Sequence, residues 1–83
     1  MAKTLIVLFE STNETMRAEK AFKLAGIRVR AVIKPRKISS NCQMALSFPD
    51  ESLGDVERAI VIESLKLAGY YRRREDGDWV KEK

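Results

Sequence analysis

Apolar residues along the chain fall into short segments whose spacing changes from one to the next. Leu5 to Phe9 is apolar at every position, on both strand parities, and predicts a central β-strand. Ser11 and Glu14 then stand in capping-box spacing, which predicts a helix start. Met16, Ala18, Ala21, Phe22 and Ala25 follow at helical intervals, and Gly26 is a natural C-cap. From Arg28 to Ile33 the apolar residues Val29, Ala31 and Ile33 alternate against Arg28 and Arg30, the pattern of a half-buried strand that Pro35 ends. Lys34 to Asn41 is polar, basic and rich in hydroxyls, and predicts a loop. Met44, Leu46 and Phe48 alternate with Gln43, Ala45 and Ser47 as a third strand closed by Pro49.

Asp50 or Ser52 can cap a second helix, with Leu53, Val56, Ile60, Val61, Ser64 and Ala68 on one broad face and Gly69 at its end. Tyr70 to Arg74 predicts a short last strand, with Arg72, Arg73 and Arg74 flanking an exposed sheet edge. Asp76 and Gly77 make a turn signal, which leaves residues 75–83 as a small hairpin through Trp79 and Val80 or as a loose tail. The order β-α-β-β-α-β predicts an α+β, ferredoxin-like two-layer sandwich, with two helices on one face of a four-stranded antiparallel sheet. A single domain, residues 1–83 with its core at about 4–74, accounts for the whole chain. Either Ile6 and Leu8 or Leu5 and Val7 must point away from the helices, beside Ala45 and Ser47. That predicts an open, partly apolar sheet face, which either a homodimer or a partner protein covers or a monomer leaves as a modest apolar patch.

Composition narrows the chemistry. Among 83 residues there are 16 Lys and Arg against 12 Asp and Glu, with no His and one Cys. The absence of His excludes imidazole bases and His metal ligands, and one thiol excludes an internal disulfide or a multi-thiolate zinc site. No metal and no resident cofactor is expected. The longest apolar run, Leu5 to Phe9, falls far short of the roughly 20 residues of a membrane span. A free thiol with no secretory pattern predicts a cytoplasmic protein. The positive charge is spread thinly outside Lys34–Lys37 and Arg72–Arg74, which is too little to announce nucleic-acid binding. A base-stacking sheet would need two or three exposed aromatics on its central strands, where only Phe9 is available.

The candidate site centres on Cys42. In the predicted topology the start of the third strand lies at the same end of the sheet as the end of the first and the beginning of the first helix, at Ser11 and Thr12. The second helix is expected to finish there as well and to deliver Tyr70 and Tyr71. A helix N-terminus and nearby cations both favour thiolate over thiol, and Lys34, Arg36 and Lys37 hang over the same end. Ser39, Ser40 and Asn41 add hydrogen-bond donors for an anionic adduct. The opposite outcome is also written in the pattern, because Cys42 shares parity with Met44 and Leu46 and can pack as a small hydrophobe. Glu10, Glu14 and Glu19 fit poorly as acid–base groups, since Glu14 is accounted for by the cap and Glu19 by an exposed helix face.

Phe9–Thr12, Ala18–Lys20, Ala25–Ile27, Pro35-Arg36, Ile38–Ser40 and Cys42 together carry a resemblance to the family of selenium/sulfur carrier-like proteins, over roughly residues 4–68. The Pro-Arg, Ile-Ser-Ser and Cys cluster is its most specific part. The resemblance implies a small carrier, more a substrate-bearing partner than an enzyme, that holds sulfur or selenium on Cys42 as a persulfide or selenopersulfide. It further implies a donor such as a cysteine desulfurase and an acceptor enzyme. Arg36 and Lys37 would then stabilise the thiolate and its adduct, while Ser39, Ser40, Asn41 and the Ser11–Thr12 turn would donate hydrogen bonds. The family pattern has Gly after the Cys, where this chain has Gln43. The competing reading is a non-catalytic small-ligand or protein-interaction module that uses the open sheet face.

Overall fold

Five consecutive apolar side chains put β1 (Thr4–Phe9) at the centre of the protein, with Leu5 through Phe9 each at most 1% exposed in the computed structural model. The structure describes residues 4–36, 38, 43–73 and 79–81. After β1 come α1 (Thr12–Leu24), β2 (Arg30–Ile33), β3 (Met44–Pro49), a single turn of 3-10 helix (Asp50–Ser52), α2 (Leu53–Ile62), β4 (Leu67–Arg73) and β5 (Trp79–Lys81). The five strands form one antiparallel sheet in the order β2-β3-β1-β4-β5. This α+β architecture is broadly compatible with the expected arrangement and differs from it by the added fifth strand. β5 pairs with β4 through Tyr71–Lys81, Arg72–Val80 and Arg73–Trp79, so the segment beyond the turn signal returns as a hairpin strand.

β1 alternates between two cores because successive side chains point to opposite faces of a strand. Leu5, Val7 and Phe9 face the helices, in a cluster with Phe22, Ile27, Leu46, Phe48, Val56, Ile60 and Tyr70. Ile6 and Leu8 face the other way and meet Ile38 and Ala45, with Val32, Tyr71 and Trp79 packed against them. This corrects the expectation of an open apolar face. The loop after β2 and the added strand supply the cover from within the chain, and Ile6 and Leu8 are 1% and 0% exposed. No second copy is needed to bury them.

Both helices end in the same device. At α1, Ile27 N–H bonds the Phe22 carbonyl and Gly26 N–H bonds that of Lys23, with Gly26 at φ 79°. At α2, Leu65 N–H bonds the Ile60 carbonyl and Ser64 N–H that of Val61, with Ser64 at φ 52°. These are Schellman motifs, each closed by an apolar pair, Phe22 with Ile27 and Ile60 with Leu65. Helix α2 therefore stops at Ile62, not beside Gly69 as the apolar spacing suggested, and Val61 is turned outward. A serine in the left-handed region is strained by about 1 kcal/mol, which glycine relieves. Ser64→Gly is accordingly expected to raise stability by about 1 kcal/mol in urea unfolding; no gain would mean that the turn relaxes away from positive φ.

The arginine run also falls differently from expectation. β4 is an interior strand, and β5 takes the edge. Arg72 lies on the helix side, 3.5 Å from the Asp50 carboxylate, while Arg73 points to the opposite face; Arg74 lies outside the described residues.

Candidate functional site

One end of the sheet collects the end of β1, the start of α1, the α2–β4 connection and the loop from β2 to β3. Ser11 is the N-cap of α1, and its Oγ accepts a hydrogen bond from Glu14 N–H at 3.2 Å. Its carbonyl accepts from both the backbone N–H and the Oγ1 hydroxyl of Thr15, at 3.0 Å each, which accounts for a threonine that is only 1% exposed. Thr15 thus holds the inward position that helical spacing had assigned to Met16, and Met16 is exposed. The Thr12 and Asn13 N–H groups have no intrahelical acceptor, as at every helix start.

Only half of the expected capping box forms. Instead of reaching back to Ser11, the Glu14 carboxylate takes the Lys66 backbone N–H at 3.1 Å and pairs with Arg17 at 3.0 Å. Glu10 N–H bonds the Lys66 carbonyl at 3.1 Å, and Arg17 reaches the Glu63 carbonyl at 3.5 Å. The opening turn of α1 is therefore tied to the α2–β4 connection on two sides.

The β2–β3 loop is built from its first residues. Lys34 N–H donates to the Gln43 carbonyl at 2.8 Å, extending the β2–β3 ladder by one pair beyond Ile33 and Met44. Ile38 N–H closes a turn onto the Pro35 carbonyl at 3.1 Å, and Lys34 Nζ donates to the Ile38 carbonyl at 2.8 Å. The Ile38 side chain, 4% exposed, lies against Ile6, Leu8 and Ala45. The loop is pinned to the sheet face away from the helices. Lys34 and Ile38 were missed as the parts that hold it. The available signal was a single isoleucine in an otherwise polar stretch, a position that exposure alone would not favour.

Of the residues expected to form the site, Ser11, Thr12, Lys34 and Arg36 are described; Lys34 is half-buried and the other three are exposed. Cys42, Lys37, Ser39, Ser40 and Asn41 lie outside the described residues. Gln43, next to the cysteine in sequence, is exposed and stands beside Lys34 at this end of the sheet. Tyr70 and Tyr71 are not at this end: they sit mid-strand, opposite Val7 and Ile6. Tyr70 packs edge-on against Phe48, with ring centroids 6.4 Å apart. Burial, and secondarily the negative charge of Glu57, pushes its hydroxyl up to about 12. It belongs to the helix-side core.

Among the described residues no group of three or more potential ligands could hold a metal ion, and no helix is long and apolar enough to cross a membrane. The chain belongs to the family described as "Putative Se/S carrier protein-like", whose profile matches residues 4–72. No curated protein and no solved structure matches it.

Proposed function

We propose that this protein carries sulfur or selenium as a persulfide or selenopersulfide on Cys42, within a ferredoxin-like sheet extended by one strand. The observation that carries the reading is membership of a selenium/sulfur carrier-like family by a chain that holds one cysteine. A covalent carrier needs a nucleophilic thiol, and Cys42 is the one available. The placement of Gln43, the residue that follows the cysteine in sequence, and of the α1 N-cap at one end of the sheet supports it.

In loading, the Cys42 thiolate attacks the outer sulfur of a donor persulfide. The new S–S bond forms as the donor's own S–S bond breaks, and the donor leaves as a thiolate. In unloading, an acceptor thiolate attacks the outer sulfur and Cys42 departs as the thiolate. Selenium in the outer position follows the same exchange. A cysteine desulfurase suits the donor role, an acceptor enzyme completes the transfer, and the cytoplasm supplies the reducing setting. Arg36 and Lys37 favour the anionic forms, and Ser39, Ser40, Asn41, Ser11 and Thr12 supply donors.

The test is the rate of Cys42 alkylation against pH. Nearby cations stabilise the thiolate, so the rate is expected to reach half its plateau below the ordinary thiol value of about 8.5. Removing a cation, as in Arg36→Ala, moves that midpoint upward. A midpoint at or above about 8.5 in the unmodified chain would count against an activated thiolate at Cys42.

A further inference from the structure

The sheet face away from the helices changes character along its strands. Towards the β2–β3 loop it is apolar, with Val32, Ala45, Leu8 and the overlying Ile38. Two residues further along each strand, a registered row runs Arg30, Ser47, Ile6, Tyr71 and Lys81 across all five strands. Beyond it stand Arg73 and its partner Trp79. Arg30, Arg73 and Lys81 are exposed, while Tyr71 and Trp79 are half-buried against the Ile6 and Leu8 patch. Among the described residues, no strand position on this face carries a carboxylate. At one side a cleft of about 320 Å³ brings Arg28 beside Arg30, Thr4 and Ser47.

The span of these charges selects the ligand. From β2 to β5 is four interstrand steps, about 19 Å at roughly 4.8 Å each. One phosphate group cannot neutralise cations at both edges, whereas a chain of phosphates can. Two aromatic side chains on the same face offer surfaces to unpaired bases, which a duplex keeps stacked inside. A lipid surface would ask for projecting apolar side chains, yet the strongly exposed ones, Leu24, Ile33, Val61 and Ile62, belong to the helices and to the helix-facing side of β2. We propose that this face binds single-stranded nucleic acid, with phosphates along Arg28, Arg30, Arg73 and Lys81 and bases against Tyr71 and Trp79. Along the chain only Phe9 is available as a base-stacking aromatic on a central strand, and Phe9 is buried beside Phe22 on the helix side. Register places Tyr71 and Trp79 where spacing along the chain could not.

Trp79 is the sole tryptophan, so its fluorescence reports on this face alone. The full chain is titrated with short single-stranded oligouridylate, single-stranded oligothymidylate, a DNA duplex and anionic phospholipid vesicles. Saturable quenching by the single strands is expected, whether RNA is preferred or RNA and DNA bind alike. With four phosphate contacts the affinity should fall about fifty-fold between roughly 50 and 200 mM salt. Arg30→Glu and Lys81→Glu should each weaken binding at least about tenfold, while Arg58→Glu, an exposed position on α2, should change it less than about twofold. Cys42→Ser should bind as the parent does, which keeps this result separate from the fate of the carrier reading. Absence of quenching, duplex binding as tight as single-strand binding, a preference for vesicles, or equal loss with Arg58→Glu would each overturn the proposal.

Discussion

Ile38→Asp is expected to destabilise the protein by about 3 kcal/mol, while Ile33→Asp, five positions earlier in the same hairpin, changes it by less than about 1 kcal/mol. The two substitutions are chemically identical, and the structure alone separates them. Ile38 is 4% exposed against Ile6, Leu8 and Ala45; Ile33 is 86% exposed on the edge strand. Burying an isoleucine contributes roughly 1.5–3 kcal/mol, and a carboxylate in its place has two poor options. Held in place its charge is set against the apolar side chains of Ile6, Leu8 and Ala45; swung outward it takes the loop with it and uncovers Ile6 and Leu8. Release of the loop limits the total, which is why the expected figure stays well below that of an isolated buried ion. Against a typical domain stability of roughly 5–15 kcal/mol, the shift in the urea midpoint is large and easily separated from the Ile33 control. Equal, small effects at both positions would show that the loop does not rest on the sheet in solution.

Both the legible and the illegible parts of the chain have local physical reasons. β1 was legible because apolar residues on both parities have no stable place except an interior strand. The start of α1 was legible because an N-cap is decided within four residues. The end of α2 was not, because Ser64 supplies a left-handed turn without the glycine that usually signals one, and Leu65 and Ala68 prolong the apolar spacing past it. Glu14 was assigned to the wrong partner for a related reason: its acceptor site is filled by Lys66 N–H, from a connection 52 residues away. The cover of the second sheet face was illegible in the same sense. Ile38 and Trp79 come from two segments that look, in sequence, like a polar loop and a small hairpin or loose tail. Their pairing with Ile6 and Leu8 depends on register and loop path. The candidate site stands between these cases. Topology alone brought the N-cap at Ser11 and the base of the β2–β3 loop to one end of the sheet, whereas the anchoring of the loop by Lys34 and Ile38 emerged only from the contacts.

Replacement of Cys42 by serine should abolish sulfur loading. With a desulfurase donor carrying labelled persulfide sulfur, label on the Ser variant is expected to fall to background, because a serine hydroxyl is not ionised near neutral pH and forms no persulfide bond. The chain has no other cysteine to take over the role, so no partial activity should persist. Loading of the unmodified chain should follow the thiolate fraction, rising with pH to a plateau reached below the ordinary thiol range. Arg36→Ala should shift that rise to higher pH without lowering the plateau. Loss of label with the pH profile unmoved by Arg36→Ala would keep the carrier reading and remove Arg36 from it. Undiminished loading of Cys42→Ser would end the carrier reading altogether, since no remaining side chain in this sequence can hold sulfane sulfur covalently.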